Sequence, residues 1–205
     1  MGFVGMTYLH LFGATAITAL SANYPMIDKP VWLIVSALVS FILFFVVLYM
    51  APGPLKYILF GLYVIFLGQS LSRIAKELRQ KGLLEEVLAS VLGIFLAMTA
   101  VGYYAGDRML GFGIYLFAAL VGLLLGRVGL FIAGLTDAVS SDTFKQANTW
   151  LSIIGSVLFS VFIAYDTSVL QMRAKVREKR PDYIDASLGL FLDIINLFAS
   201  IEDLF

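Results

Sequence analysis

Two acidic residues stand inside apolar stretches of this sequence. Asp166 lies in Ala164-Tyr165-Asp166-Thr167, and Asp193 in Leu190-Phe191-Leu192-Asp193-Ile194-Ile195-Asn196-Leu197-Phe198. A carboxyl group in an apolar medium is costly, so each needs a chemical reason to be there. Their spacing supplies one. The midpoint of 166 and 193 is 179.5, which falls in Lys179-Arg180-Pro181, where the chain has to turn. With helical flanks, each aspartate sits about 13 residues from that turn, roughly 20 Å along its helix. Antiparallel packing then brings the two to a similar depth, facing one another. Two carboxyl groups in contact do not both ionise cheaply, and such a pair titrates as a unit that shares a proton. Protonation would hold or release the contact between the helices, which makes a pH-sensitive latch. Deprotonated, the pair offers hard oxygen ligands to a divalent cation such as calcium. The alternative is two separate carboxylic acids, each neutral and hydrogen-bonded to a neighbouring helix.

The elements that must position this pair follow from composition. Of 205 residues, 60% are hydrophobic and only 14% are charged, against roughly 25% charged in an average soluble domain. Mean hydropathy is +0.94. A soluble fold of this size cannot hide so much apolar surface, so lipid is the solvent for most of the chain. At about 20 apolar residues per crossing plus a connection, the length accommodates about seven helices. The expected fold is an all-α membrane protein, one domain over residues 1–205: a seven-transmembrane-helix bundle with short loops. The helices are expected at about 3–21, 31–50, 55–74, 84–105, 110–133, 147–171 and 183–203, the third continuing as a charged extension from Arg73 to Lys81. Ala51-Pro52-Gly53-Pro54, Gly82 and a tight turn at Gly106-Asp107-Arg108 punctuate them. Barrel strands are excluded, because the apolar runs are about twice the roughly 10 residues of a spanning strand and do not alternate.

An odd number of helices puts the ends of the chain on opposite sides. Lys and Arg are shared almost evenly between the two sides. The densest group, five basic residues among the eight from Arg173 to Arg180, places that connection and the N-terminus in the cytoplasm. The basic end of helix 3 then falls on the other side, where it is explained only by lying along the interface. No cleavable signal is expected, since no basic region precedes Phe3. Gly2 lacks the Ser or Thr at position 6 that myristoylation requires, and finds Met6. No targeting address is expected after the last helix.

Several functions are excluded. Lys plus Arg and Asp plus Glu each number 14, so the formal net charge is zero, and no nucleic-acid partner is expected. Without cysteine there is no disulfide and no thiol nucleophile. His10, the only histidine, cannot build a zinc site alone. Seven helices leave no room for a nucleotide-binding domain. No cofactor is expected, and calcium enters only as a permeant ion.

The Tyr165-Asp166 element followed by Leu192-Asp193-Ile194-Ile195-Asn196-Leu197-Phe198 resembles the signature of the transmembrane Bax-inhibitor-motif family. The seven short-looped helices and the basic connection before the last of them fit as well. The close match covers about residues 150–200, and the first 140 residues match in hydropathy more than in sequence. The resemblance implies a calcium-leak channel of the endoplasmic reticulum, Golgi or bacterial inner membrane, linked in eukaryotes to suppression of cell death. It also implies that Asp166 and Asp193 are the pH-sensing pair at the pore, with transient calcium contact. Some family members carry an arginine near the end of helix 2 that pairs with the helix 6 aspartate. Helix 2 here has no basic residue, and Lys56 is the nearest substitute.

Other residues have lesser roles on offer. Glu85 and Glu86 open helix 4, either as a solvated cap favoured by the helix dipole or as the mouth of a cation path. Arg127 either snorkels to the interface or pairs with an acid of helix 6 or 7. Asn196, three residues after Asp193, shares its face and can bond the carboxylate or tie two helices together. Glu202 and Asp203 are expected at the interface, and His10 as a hydrogen-bonded core residue. Gly102 and Gly106, like Gly122 and Gly126, have the Gly-x-x-x-Gly spacing of close helix packing. The expected function is thus a passive, pH-sensitive calcium (cation) leak, and not an enzyme. Membrane lipid is a partner, and the basic Arg173–Arg180 connection is a candidate contact for it. One competing reading is an interaction protein that conducts nothing. Another is an intramembrane aspartyl protease, which fits Tyr165-Asp166 but needs Gly-x-Gly-Asp where Leu192 precedes Asp193.

Overall fold

Proline and glycine set the ends of the helices. The computed structural model describes residues 2–27, 29–136, 138–176 and 181–205. Among them the elements are α1 (Phe3–Asn23), α2 (Pro30–Tyr49), α3 (Pro54–Lys81), α4 (Leu84–Ala105), a 3-10 helix (Gly106–Phe112), α5 (Gly113–Leu135), α6 (Ser141–Lys175) and α7 (Tyr183–Glu202). Pro30 and Pro54 open α2 and α3, where a missing N–H has no intrahelical partner to lose. Gly82 adopts φ +72° and closes α3, and the Leu83 N–H donates back to the Leu78 carbonyl at 2.9 Å.

Two boundaries differ from expectation. α6 begins at Ser141 instead of about 147, because Ser140 accepts the Thr143 N–H at 3.3 Å and caps a polar first turn. The tight turn at Gly106–Arg108 is instead the start of a 3-10 helix, so α5 begins at Gly113. Gly106 has φ +53°, which stops the α-helical ladder of α4 without opening a loop. This has a consequence for the count of crossings. Among the described residues six segments, not seven, are long and apolar enough to span a membrane, because Leu84–Leu135 runs as one helical stretch of 52 residues through α4, the 3-10 helix and α5.

The contacts gather the residues into two compact units, Met1–Leu84 with Val176–Phe191 and Glu85–Lys175 with Leu192–Phe205. In the first, α1 and α2 pack on α3. Gly68 brings α3 against the Thr18 carbonyl and Ser21 of α1. There the hydroxyls of Thr18 and Ser21 donate to the carbonyls of Val64 and Ile65 at 3.2 and 2.8 Å. Small residues and hydroxyl bonds replace the hydrophobic effect as glue where lipid is the solvent. Phe191 closes this core against Phe60 and Tyr63, at centroid separations of 6.3 and 6.0 Å.

In the second unit α5 packs on α6, and the 3-10 helix packs on both. Gly102 of α4 meets the backbone of Ala164, and the Ser168 hydroxyl donates to the carbonyls of both, at 2.9 Å each. Gly126 lies against Leu151, whereas Gly122 faces open space. Each Gly-x-x-x-Gly thus uses one glycine for close approach. Apolar side chains such as Ile34, Leu38, Phe41, Phe117 and Leu124 remain exposed, as a surface solvated by acyl chains requires.

Candidate functional site

The second unit holds both aspartates, Asp166 on α6 and Asp193 on the part of α7 that belongs to it. Two contacts fix how these helices run. The Ser152 hydroxyl donates to Asp203 Oδ2 at 2.8 Å, and a Cβ on Gly155 would fall 2.6 Å from Ser200 Oγ. Residue pairs 152/203 and 155/200 share the midpoint 177.5, so α6 and α7 run antiparallel there. On that register Asp193 is level with residue 162, and Asp166 lies four residues further on, about one helical turn or 6 Å along the axis. The aspartates are neighbours offset by a turn.

Asp193 is buried, with 6% of its surface exposed. Its Oδ2 has no hydrogen-bond partner among the described residues. Asp166 is partly buried, and on that register it stands about one helical turn from Asp193 on the facing helix. No cation pairs with Asp166 among the described residues, and no hydrogen bond from Asn196 reaches Asp193. Tyr165 packs over the start of α5, where a Cβ on Gly113 would meet its hydroxyl at 2.5 Å.

The sequence reading missed two threonines of the same unit, one of them next to Asp166 in the chain. The hydroxyls of Thr99 and Thr167 are buried, and like Asp193 Oδ2 have no partner among the described residues. Thr99 precedes Gly102 by three residues and Thr167 follows Ala164 by three, so both stand within one turn of the α4–α6 contact. Their only signal in the sequence is adjacency to Asp166 and to a glycine in an apolar run. Among the described residues no group of three or more histidine or carboxylate side chains is assembled to hold a resident metal.

The basic residues have other partners. Arg127 pairs with Asp203 (3.3 Å) and reaches the hydroxyls of Ser152 and Ser200 (3.4 Å each), so it ties α5 to α6 and to the end of α7 instead of snorkelling. Lys56, in the first unit, does not take the place of the helix 2 arginine. It is 2% exposed and donates to Asp182 Oδ2 at 2.6 Å and to the Met50 carbonyl at 3.0 Å. Asp182 in turn accepts the Asp185 N–H at 3.0 Å and caps α7. Pro181 puts Asp182 at the cap, and Lys56 reaches it from the first turn of α3. Glu85 and Glu86 are exposed in the first turn of α4. His10 Nδ1 lies 2.7 Å from the Met6 carbonyl, and its ring stacks on Tyr183. Arg177, Lys179 and Arg180 of the basic connection lie outside the described residues.

Fold and site together define an integral, multi-pass, all-helical membrane protein with a buried acid pair on its last two helices. The family model described as inhibitor of apoptosis-promoting Bax1 matches residues 1–205, and the chain belongs to that family. It is 26% identical over 170 residues to Protein LIFEGUARD 4 of Arabidopsis thaliana, an alignment covering 77% of this chain and 60% of the relative. It is 38% identical over 105 residues to the Golgi anti-apoptotic protein of vaccinia virus (strain Lister), covering 51% of this chain and 38% of the relative. It is 30% identical over 153 residues to the inner membrane protein YbhL of Escherichia coli (strain K12), covering 72% and 61%. The chain thus spans less than two thirds of the length of each.

Proposed function

We propose that this chain is a passive, pH-sensitive cation leak with calcium as the permeant ion, gated by Asp166 and Asp193. The observation that carries the reading is the buried, unpartnered Oδ2 of Asp193, about one helical turn from Asp166 on the facing helix. With one proton between them, the two groups bond each other and hold α6 to α7. Without it, two like charges with no compensating cation push apart and expose hard oxygens suited to a divalent cation. The unpartnered hydroxyls of Thr99 and Thr167 add neutral oxygens of the same hardness nearby. Acidic oxygens favour cations over anions along a path. Gly102 and Gly113, eleven residues apart, meet neighbouring residues of α6, Ala164 and Tyr165, so the 52-residue stretch Leu84–Leu135 doubles back at the 3-10 helix; each arm is long enough for a hydrocarbon core of about 30 Å, and the chain crosses seven times. With the basic Arg173–Arg180 connection on the cytoplasmic side, six crossings from the first helix put the N-terminus there too. The host membrane is Golgi or endoplasmic reticulum in a eukaryote or virus-infected cell, and the inner membrane in a bacterium. The relatives' names support a death-suppressing role in a eukaryotic host, and equally fit a non-conducting regulator of partner proteins.

The test is calcium flux into liposomes containing the purified protein between pH 6 and 8. Asn at position 166 or 193 mimics the protonated carboxyl, so each variant's flux should be flat with pH and match wild type at its acid limit. Flux absent at every pH from folded protein would favour the non-conducting regulator.

A further inference from the structure

The basic end of α3 has no part in the leak, yet it is the most strongly charged helical stretch described. α3 has 28 residues, about 42 Å, and the hydrocarbon core takes about 30 Å. Its last turns therefore stand at the level of the lipid headgroups. A cavity of about 530 Å³ opens there, between α3 and the α1–α2 connection. Lys29 lines it from the connection and Arg73, Lys76 and Arg79 from α3, with Glu77 the one carboxylate among the described lining residues. Glu77 is engaged by Arg73 at 2.8 Å, and Arg79 also donates to Asn23 at the end of α1. The wall opposite α3 is built in advance. Gln69, 1% exposed, donates to the carbonyls of Ser21 and Tyr24 and accepts from the Met26 N–H and from Trp32 Nε1, at 2.7–3.3 Å. One buried amide thus holds Tyr24, Met26 and the first turn of α2 in place. Trp32 packs on Phe66 (centroids 6.2 Å apart), and tryptophan is favoured at the interface.

We propose that this pocket binds a phosphate-bearing anion at headgroup depth. A lining that is net positive among the described residues, a preset wall and a position just outside the hydrocarbon select a phosphate group, whose two sources are an anionic phospholipid and free phosphate. The basic end of α3 is then a binding surface, which explains it on whichever side of the membrane it lies.

Trp32 is the reporter. The chain has two tryptophans, and Trp150, exposed on α6, is replaced (Trp150→Phe). Protein in maltoside micelles is titrated with dihexanoyl-phosphatidylglycerol, dihexanoyl-phosphatidylcholine and inorganic phosphate. The phosphatidylglycerol should change Trp32 emission saturably, and the zwitterionic lipid should not. Lys76→Gln should weaken binding about fivefold, and Lys81→Gln, outside the pocket, by less than about twofold. Both side chains are exposed, so neither change disturbs the core. Phosphatidylglycerol binding that inorganic phosphate does not displace supports the site with lipid as the source. Inorganic phosphate that saturates the signal and displaces the lipid supports it with the free ion as the source. An equal response to phosphatidylcholine, no saturable response to either anion, or equal losses in Lys76→Gln and Lys81→Gln would overturn it.

Discussion

Lys56 and Asp182 show how much one charge can matter in this molecule. The lysine is almost wholly buried against its partner, and removing one member of a buried pair leaves an uncompensated charge. Asp182→Asn should lower stability by about 3–5 kcal/mol, read as thermal unfolding in detergent, and the joint change Lys56→Met with Asp182→Asn should recover most of that loss. A single-variant loss under about 1 kcal/mol would mean that water reaches the pair. This partnership was illegible in the sequence: the residues are 126 positions apart, and Lys56 looks from its number like a stand-in for a helix 2 arginine. Arg127 was half legible, since an acid of helix 7 was one of two partners open to it. The neighbourhood of Asp166 and Asp193 could be read from their shared distance to the turn. Their offset of about one turn could not, because the midpoint rule assumes that the connection divides evenly between α6 and α7.

At the scale of elements, hydropathy located the helices well, and α4 falls on its expected residues. It failed where helix continues through polar sequence, as at the start of α6, and where a 3-10 helix replaces a turn. It also could not tell which glycines matter. Gly102 touches the Ala164 backbone and Gly122 touches nothing within 4 Å. Gly102→Ala should destabilise by about 1–3 kcal/mol through overpacking, and should disturb the pH dependence of flux, because Ala164 is two residues from Asp166. Gly122→Ala should be neutral to within about 0.5 kcal/mol, and serves as the control in the same unfolding and flux assays. Equal effects of the two changes would show that α4 and α6 are not held by this contact.

For the whole molecule, the proposed seven crossings would place the segment before α1 and the segment after α7 on opposite faces. Protease protection of tags at the two ends, in sealed vesicles, should cut one and spare the other. Cutting both from the same face would remove a crossing and point to Leu84–Leu135 as the stretch miscounted. The proposed leak rests on one shared proton, and coupled sites are recognised by non-additivity. The most direct test is therefore calcium flux against pH for wild type, Asp166→Asn, Asp193→Asn and the double variant, measured in parallel. The pair predicts that each single change removes the whole pH dependence and that the double variant behaves like either single. If each single variant keeps part of the dependence and only the double loses it all, the aspartates titrate independently and the latch does not exist.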